Sequence, residues 1–140
     1  MKSILIDIDV ILDVLARRDP FFAPAANLWA KVENKHIRAY LASHTITTLF
    51  YLIRKVKDKK FAEECVRDLL SVFKIAPVDK STLLLALKPD FKDFEDAVQY
   101  AAAKQVNADF IITRNIKDYK KSDIPVMNPD SFLASLKLTG

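Results

Sequence analysis

Ser3-Ile4-Leu5-Ile6 opens the chain as an apolar run, and Asp7 and Asp9 close it around Ile8. A short apolar run ending in acids predicts a strand over residues 3–9 buried on both faces, the habit of parallel sheets. Residues 10–17 and 21–35 then read as helices divided at Asp19-Pro20, with Phe22, Ala25, Leu28, Trp29 and Val32 at helical spacing. Residues 37–42 predict a second strand. Ser43 begins a helix whose apolar positions are Ile46, Leu49, Phe50 and Ile53, and whose end is basic at Arg54, Lys55, Lys57, Lys59 and Lys60, with Asp58 the single acid among them.

Residues 61–73 continue as an amphipathic helix, 74–77 as a third strand, and 80–87 as a short helix stopped near Pro89. From Asp93 an alanine-rich helix carries Phe94, Ala97, Val98, Ala101 and Ala102 on its apolar side. A fourth strand follows at 109–113, then a polar, basic loop at 114–123, a fifth strand at 124–127, and a last helix opened by Asn128-Pro129. Strands alternating with helices predict an α/β fold: a mostly parallel sheet covered on both faces, with any ligand site outside the carboxyl ends of the strands.

Composition narrows the function classes. At 140 residues, 51% of them hydrophobic and 29% charged, the chain is expected to form one domain over residues 1–140. Its one glycine is Gly140, so the glycine-dependent phosphate loops of dinucleotide and nucleotide binders are excluded. Cys65 has no partner for an internal disulfide, and Asp7 interrupts the opening apolar run far short of a signal-peptide core. The expected compartment is the cytoplasm, with no membrane partner. A net charge of +4 permits a polyanionic partner.

Polar residues at strand ends are the candidates for chemistry: Asp7 and Asp9 after the first strand, Ser43 after the second, Thr113, Asn115 and Asp118 after the fourth, with Asp96 on the preceding helix. If these segments converge, three or more carboxylates share a small volume and repel one another unless a cation neutralises them. Mg²⁺ or Mn²⁺ suits such oxygens, and with a phosphodiester it polarises the phosphate and helps ionise an attacking water. Plainer roles compete. Asp93 is placed to cap the helix that carries Asp96, Asp9 to cap the helix after the first strand, and Asp118 and Asp123 to solvate a loop. His36 and His44 are too far apart for a zinc pair, while Cys65, Trp29, Tyr40, Phe50 and Tyr51 read as packing residues.

Across nearly its whole length the sequence resembles a PIN domain, the metal-dependent ribonuclease fold of VapC-type toxins. The resemblance rests on Ile4-Leu5-Ile6-Asp7-Ile8-Asp9, on Ala42-Ser43 with Thr45, Thr47 and Thr48 after it, on Asp93-Phe94-Glu95-Asp96-Ala97-Val98, on Ile111-Ile112-Thr113-Arg114-Asn115-Ile116-Lys117-Asp118-Tyr119, and on Ile124-Pro125-Val126-Met127-Asn128-Pro129. It implies a three-layer α/β/α fold with a mostly parallel five-stranded sheet in the order 3-2-1-4-5, and Asp7, Asp96 and Asp118 as ligands of Mg²⁺ or Mn²⁺. Ser43, Thr113 and Asn115 would line the site, with Asp9, Thr48, Asp93 and Glu95 around it. One departure stands out: Thr48 occupies the place where many PIN domains carry a glutamate, and a hydroxyl supplies no negative charge to a metal.

The implied activity is cleavage of RNA by a homodimeric toxin held by an antitoxin. Arg114, Lys117, Lys120, Lys55 and Lys57 would guide the RNA backbone. A catalytically weak or inactive domain that binds RNA or a partner is the alternative. A haloacid-dehalogenase-type phosphatase is a lesser one, since its opening Asp-x-Asp fits Asp7 and Asp9 but its following Gly-Thr does not fit Val10-Ile11.

Overall fold

The computed structural model describes residues 1–139. Five strands, β1 (Lys2–Ile6), β2 (Ile37–Ala42), β3 (Lys74–Ala76), β4 (Phe110–Ile112) and β5 (Val126–Met127), form one sheet in the order β3-β2-β1-β4-β5. Every neighbouring pair is parallel, with Ile4 opposite both Ala39 and Phe110. Among the described residues seven α-helices connect and cover the strands: α1 (Ile8–Leu15), α2 (Phe22–Glu33), α3 (Ser43–Val56), α4 (Lys59–Val72), α5 (Lys80–Ala86), α6 (Phe94–Gln105) and α7 (Pro129–Thr139). The α/β/α layering and the strand order agree with what the sequence implied.

Strand alternation sorts the core onto two faces. Ile4, Ile6, Leu41 and Ile112 pack with Val10 and Ile11 of α1, Leu28 of α2, Leu49 of α3, Leu69 of α4 and Phe132 of α7. Leu5, Ala42, Ala76 and Ile111 point the other way, onto Tyr100, Ala102 and Ala103 of α6. Ala101, Ala102 and Ala103 are completely buried, because methyl-sized side chains let α6 lie close against the sheet on one side and α5 on the other. Cys65 and Trp29 belong to the first core, Trp29 meeting Phe73 edge-on at 5.1 Å. No helix among the described residues is long and apolar enough to cross a membrane.

Several boundaries differ from the expected ones, each for a local reason. The first strand stops at Ile6 rather than Asp9, since Asp7 accepts a hydrogen bond from the Ile8 amide at 2.8 Å and thereby caps α1. Capping belongs to Asp7, and Asp9 lies in the first turn. Asp58 accepts from the Phe61 amide at 2.8 Å, so α4 begins at Lys59, and the lone acid of the basic cluster is a cap. The fifth strand begins at Val126 because Ser122 closes a turn on Ile124. The basic loop contains a 3₁₀ turn at Ile116–Tyr119. Tyr51, expected in the core, is 65% exposed, because the inward face of α3 is set by Thr45, Leu49 and Ile53.

Candidate active site

All the site segments meet at the carboxyl edge of the sheet around Asp7. Its amide still donates to the Ile112 carbonyl at 2.9 Å, so the backbone leaves the sheet here with the carboxylate anchored. Oδ2 accepts from the Thr113 hydroxyl and from the Tyr119 hydroxyl, each at 3.0 Å, and Oδ1 accepts from the Gln99 amide at 3.5 Å. Asp7 is buried, and burial raises its pKa above the usual carboxylate value more than the hydrogen bonds of Thr113, Ile8 and Tyr119 lower it. The charge of Asp118 pushes the same way.

Asp9 is held two residues further on, in the first turn of α1. Its Oδ2 accepts from the Asn115 side-chain amide at 3.0 Å, the Arg114 backbone amide at 3.2 Å and the Thr113 hydroxyl at 3.3 Å. Thr113 therefore sits between two carboxylates with a single hydroxyl hydrogen to offer them. Burial, then the charge of Asp7, lifts Asp9 to a pKa of about 6. Its Oδ1 is buried with no hydrogen-bond partner among the described residues.

Asp96 comes from the first turn of α6, whose N-terminus is capped by Asp93 through bonds from the Glu95 and Asp96 amides at 2.8 and 3.3 Å. Burial raises its pKa to about 7, with the charges of Asp7, Asp93 and Asp118 adding to it. A cleft of about 280 Å³ opens beside it. Asp96, Asp118, Asp93, Lys117, Lys120 and Phe91 are among its walls. Asp118 faces this cleft, whereas the Asn115 amide is turned onto Asp9.

The raised Asp96 pKa has a testable sign. Asp96 binds its proton more tightly folded than unfolded, so its contribution to stability is full below about pH 4 and is lost as pH rises through about 7. The shift corresponds to roughly 4 kcal/mol, and solvent screening at this half-buried site reduces it to about 1–2 kcal/mol. In urea denaturation with a chelator present, Asp96→Asn is expected to be more stable than the wild type by that amount at pH 8 and equal to it at pH 4. An equal difference at both values would mean that the carboxylate is not under strain.

The side chains of most other expected site residues have partners of their own. The Ser43 hydroxyl oxygen accepts from the Val78 amide at 3.0 Å and so ties the start of α3 to the segment after β3. Thr48 donates back to the His44 carbonyl at 3.1 Å. Lys55 and Lys57 stand at the far end of α3, about 20 Å along its axis from Ser43, and Lys57 lies over the Phe61 ring. Arg114 puts its guanidinium 4.0 Å from the centre of the Phe21 ring, with Nε 2.7 Å from the buried Asp13 carboxylate. Asp123 is bound by Lys104 and Tyr100, a structural role. Glu95 is exposed, its carboxylate 4.0 Å from His44 Nε2.

Thr45, Gln99, Tyr119 and Asp13 were given no role from the sequence, yet all four are buried at or beside the site. The signal was spacing: Gln99 follows Asp96 and Asp13 follows Val10 by three residues, which puts each pair on one helix face.

Among the described residues no three side chains of His, Cys, Asp or Glu come together closely enough to hold a metal ion by themselves. The donor set nevertheless fits a hard divalent cation. Its members are carboxylates whose proton affinity is raised first by burial and then by neighbouring acids at Asp7, Asp9 and Asp96, and Mg²⁺ needs only one or two protein carboxylates beside its waters and substrate phosphate. Asp7 and Asp96, with Asp118 facing the same cleft as Asp96, are the carboxylates on offer to such an ion.

The chain is similar in sequence and fold to known proteins. Ribonuclease VapC1 of Aquifex aeolicus is 28% identical over 148 aligned positions, which cover 94% of this chain and 93% of that protein. A toxin–antitoxin complex from Klebsiella pneumoniae contains a chain of similar fold, with a TM-score of 0.68 at 22% identity over 91% of this chain and 98% of that one. The sarcin-ricin-loop-cleaving toxin VapC20 of Mycobacterium tuberculosis superposes with a TM-score of 0.66 at 15% identity, over 88% of this chain and 99% of that one. A family model described as a PIN domain matches residues 3–117, the stretch that supplies Asp7, Asp9, Asp96, Thr113 and Asn115 to one edge of the sheet, and the chain therefore belongs to the PIN domain family.

Proposed function

We propose that this chain, as one domain over residues 1–140, is a Mg²⁺- or Mn²⁺-dependent endoribonuclease and the toxin of a toxin–antitoxin pair, a homodimer acting in the cytoplasm. The observation that carries this reading is the convergence of Asp7 and Asp96, with Asp118 in the same cleft, at the carboxyl edge of a parallel sheet beside a basic wall. Ribonuclease VapC1 supports the RNA substrate, and the Klebsiella complex supports an antitoxin partner.

When bound, the divalent cation polarises the scissile phosphate and lowers the pKa of an attacking water. The chain's own residues do the rest. Asp7, Asp96 and Asp118 would hold the cation. Thr113 and Tyr119 fix the Asp7 carboxylate from one side through the paired bonds to Oδ2, which leaves little freedom for it to rotate away. Asn115 and the Arg114 amide fix Asp9 in the same way. Lys117 and Lys120 attract and align the sugar-phosphate backbone along the cleft.

Cleavage of mixed-sequence RNA with Mn²⁺ present, and its loss on chelation, is the direct test; folded protein without metal-dependent cleavage would leave the binding-domain alternative, which the neutral α3 wall with Thr48 bonded to His44 favours. Membership of the PIN family leaves the phosphatase reading without support.

Each cleft lysine contributes separately. Lys117→Ala and Lys120→Ala are each expected to raise KM for single-stranded RNA about 3–5-fold and to flatten the slope of log affinity against log salt by about 0.7. Lys55→Ala and Lys57→Ala, at the remote end of α3, are expected to change neither. Equal effects from both pairs would show that the RNA path runs along α3 instead.

A further inference from the structure

Helix α3 brings no acid to the site, and what it brings instead is Thr45, buried to 2% exposure. The Thr45 hydroxyl oxygen accepts a hydrogen bond at 3.0 Å from the amide nitrogen of Gln99, and the same nitrogen reaches Asp7 Oδ1 at 3.5 Å. Gln99 is itself 3% exposed, three residues after Asp96 on the inward face of α6. A primary amide nitrogen carries two hydrogens, one for each acceptor, and the Asp7 carboxylate fixes the amide orientation, since the flipped amide would oppose oxygen to oxygen. The remaining atom, Gln99 Oε1, is buried with no hydrogen-bond partner among the described residues. A buried amide with an unsatisfied acceptor costs stability in an apolar setting, so packing gives no reason for it to be there.

Resting on the metal-dependent reading above, we propose that Gln99 is a positioning residue for the metal-binding carboxylate Asp7, linking it to Thr45 across the wall that lacks an acid and thereby setting the affinity of the site for its divalent cation. Asp7 is held at Oδ2 by Thr113 and Tyr119, and the Gln99 contact is the only side-chain bond to Oδ1 among the described residues. Without it one end of the carboxylate is fixed only by the Ile8 amide, and rotation about the Cβ–Cγ bond turns the oxygen away. Thr45 acts one step further out, as the anchor that stops the Gln99 amide from swinging.

The test is Mn²⁺ binding to the full chain by isothermal titration, with no RNA present, for the wild type, Gln99→Met, Thr45→Val and the double variant. Gln99→Met keeps the length and removes both bonds, and its Mn²⁺ Kd is expected to rise about 10-fold. Thr45→Val keeps the shape and frees the amide, with a rise of about 3-fold expected. The double variant is expected to match Gln99→Met alone, because the two residues act through one chain of bonds. Folding is followed by circular dichroism, and should Gln99→Met not fold, the near-isosteric Thr45→Val still decides the matter. A wild type that binds Mn²⁺ with both single variants within twofold of it overturns the role of Gln99 and leaves the nuclease reading standing. Effects that add in the double variant also overturn it, as separate structural perturbations. A wild type that binds no Mn²⁺ overturns the metal-dependent reading and the inference with it.

Discussion

Asp7→Asn and Asp96→Asn are each expected to lower Mn²⁺-dependent RNA cleavage by at least about 100-fold, since loss of a residue that merely orients a ligand already costs 10–100-fold. The same substitutions are expected to leave the fold intact or firmer. Asparagine caps a helix as well as aspartate does, so α1 retains its N-terminal bond to the Ile8 amide. At both positions the charged form is disfavoured by burial, and a neutral amide relieves that penalty. A residue whose loss removes activity while stability is unchanged or raised is kept for chemistry rather than for structure. The measurement is the initial cleavage rate at saturating Mn²⁺ beside the thermal midpoint in chelator, all variants purified identically. If either variant retains more than about a tenth of the activity, that carboxylate is not a ligand.

The architecture was legible because the sheet is buried on both faces and its strands stand out as apolar runs, and because strand, helix and acid recur in one order from Ile4 to Asp118. Asp93 was legible as a cap for the same local reason: its side chain serves amides two and three residues ahead. The supports of the site were not legible. Tyr119 lies in a stretch that reads as a solvated loop, and only the tertiary fold carries its hydroxyl to Asp7. Gln99 reads as one polar position in an alanine-rich helix, and its partner Thr45 is far away in sequence. Charge placement was hidden from the sequence in a different way. Lys55 and Lys57 look equivalent to Lys117 and Lys120 in composition, yet the axis of α3 carries the first pair away from the cleft that the second pair lines.

Arg114 separates these two ways of reading a charge most sharply. The sequence offered it as an RNA contact, whereas the structure buries its partner: Asp13 is 1% exposed, Arg114 Nε is 2.7 Å from it, and Arg18 reaches it only at 3.8 Å. Neither Asp13 oxygen receives a well-directed hydrogen bond, so the attraction is mainly that of opposite charges in a poorly hydrated place. Removing Arg114 leaves a buried carboxylate with one distant and partly exposed cation, a change that typically costs about 3–5 kcal/mol. Arg114→Ala is therefore expected to lose about 3 kcal/mol or slightly more in urea denaturation, part of it from the lost stacking on Phe21. The paired substitution Asp13→Leu with Arg114→Met, which removes both charges and keeps the bulk, is expected to recover most of that loss. Cleavage is expected to fall with Arg114→Ala because the backbone amide of the same residue positions Asp9 and its neighbour Thr113 positions Asp7. The salt slope of RNA binding should stay as in the wild type, in contrast to the cleft lysines. A stable Arg114→Ala variant with a flattened salt slope would return the residue to the RNA surface, and the Asp13 carboxylate would then need another source of stabilisation.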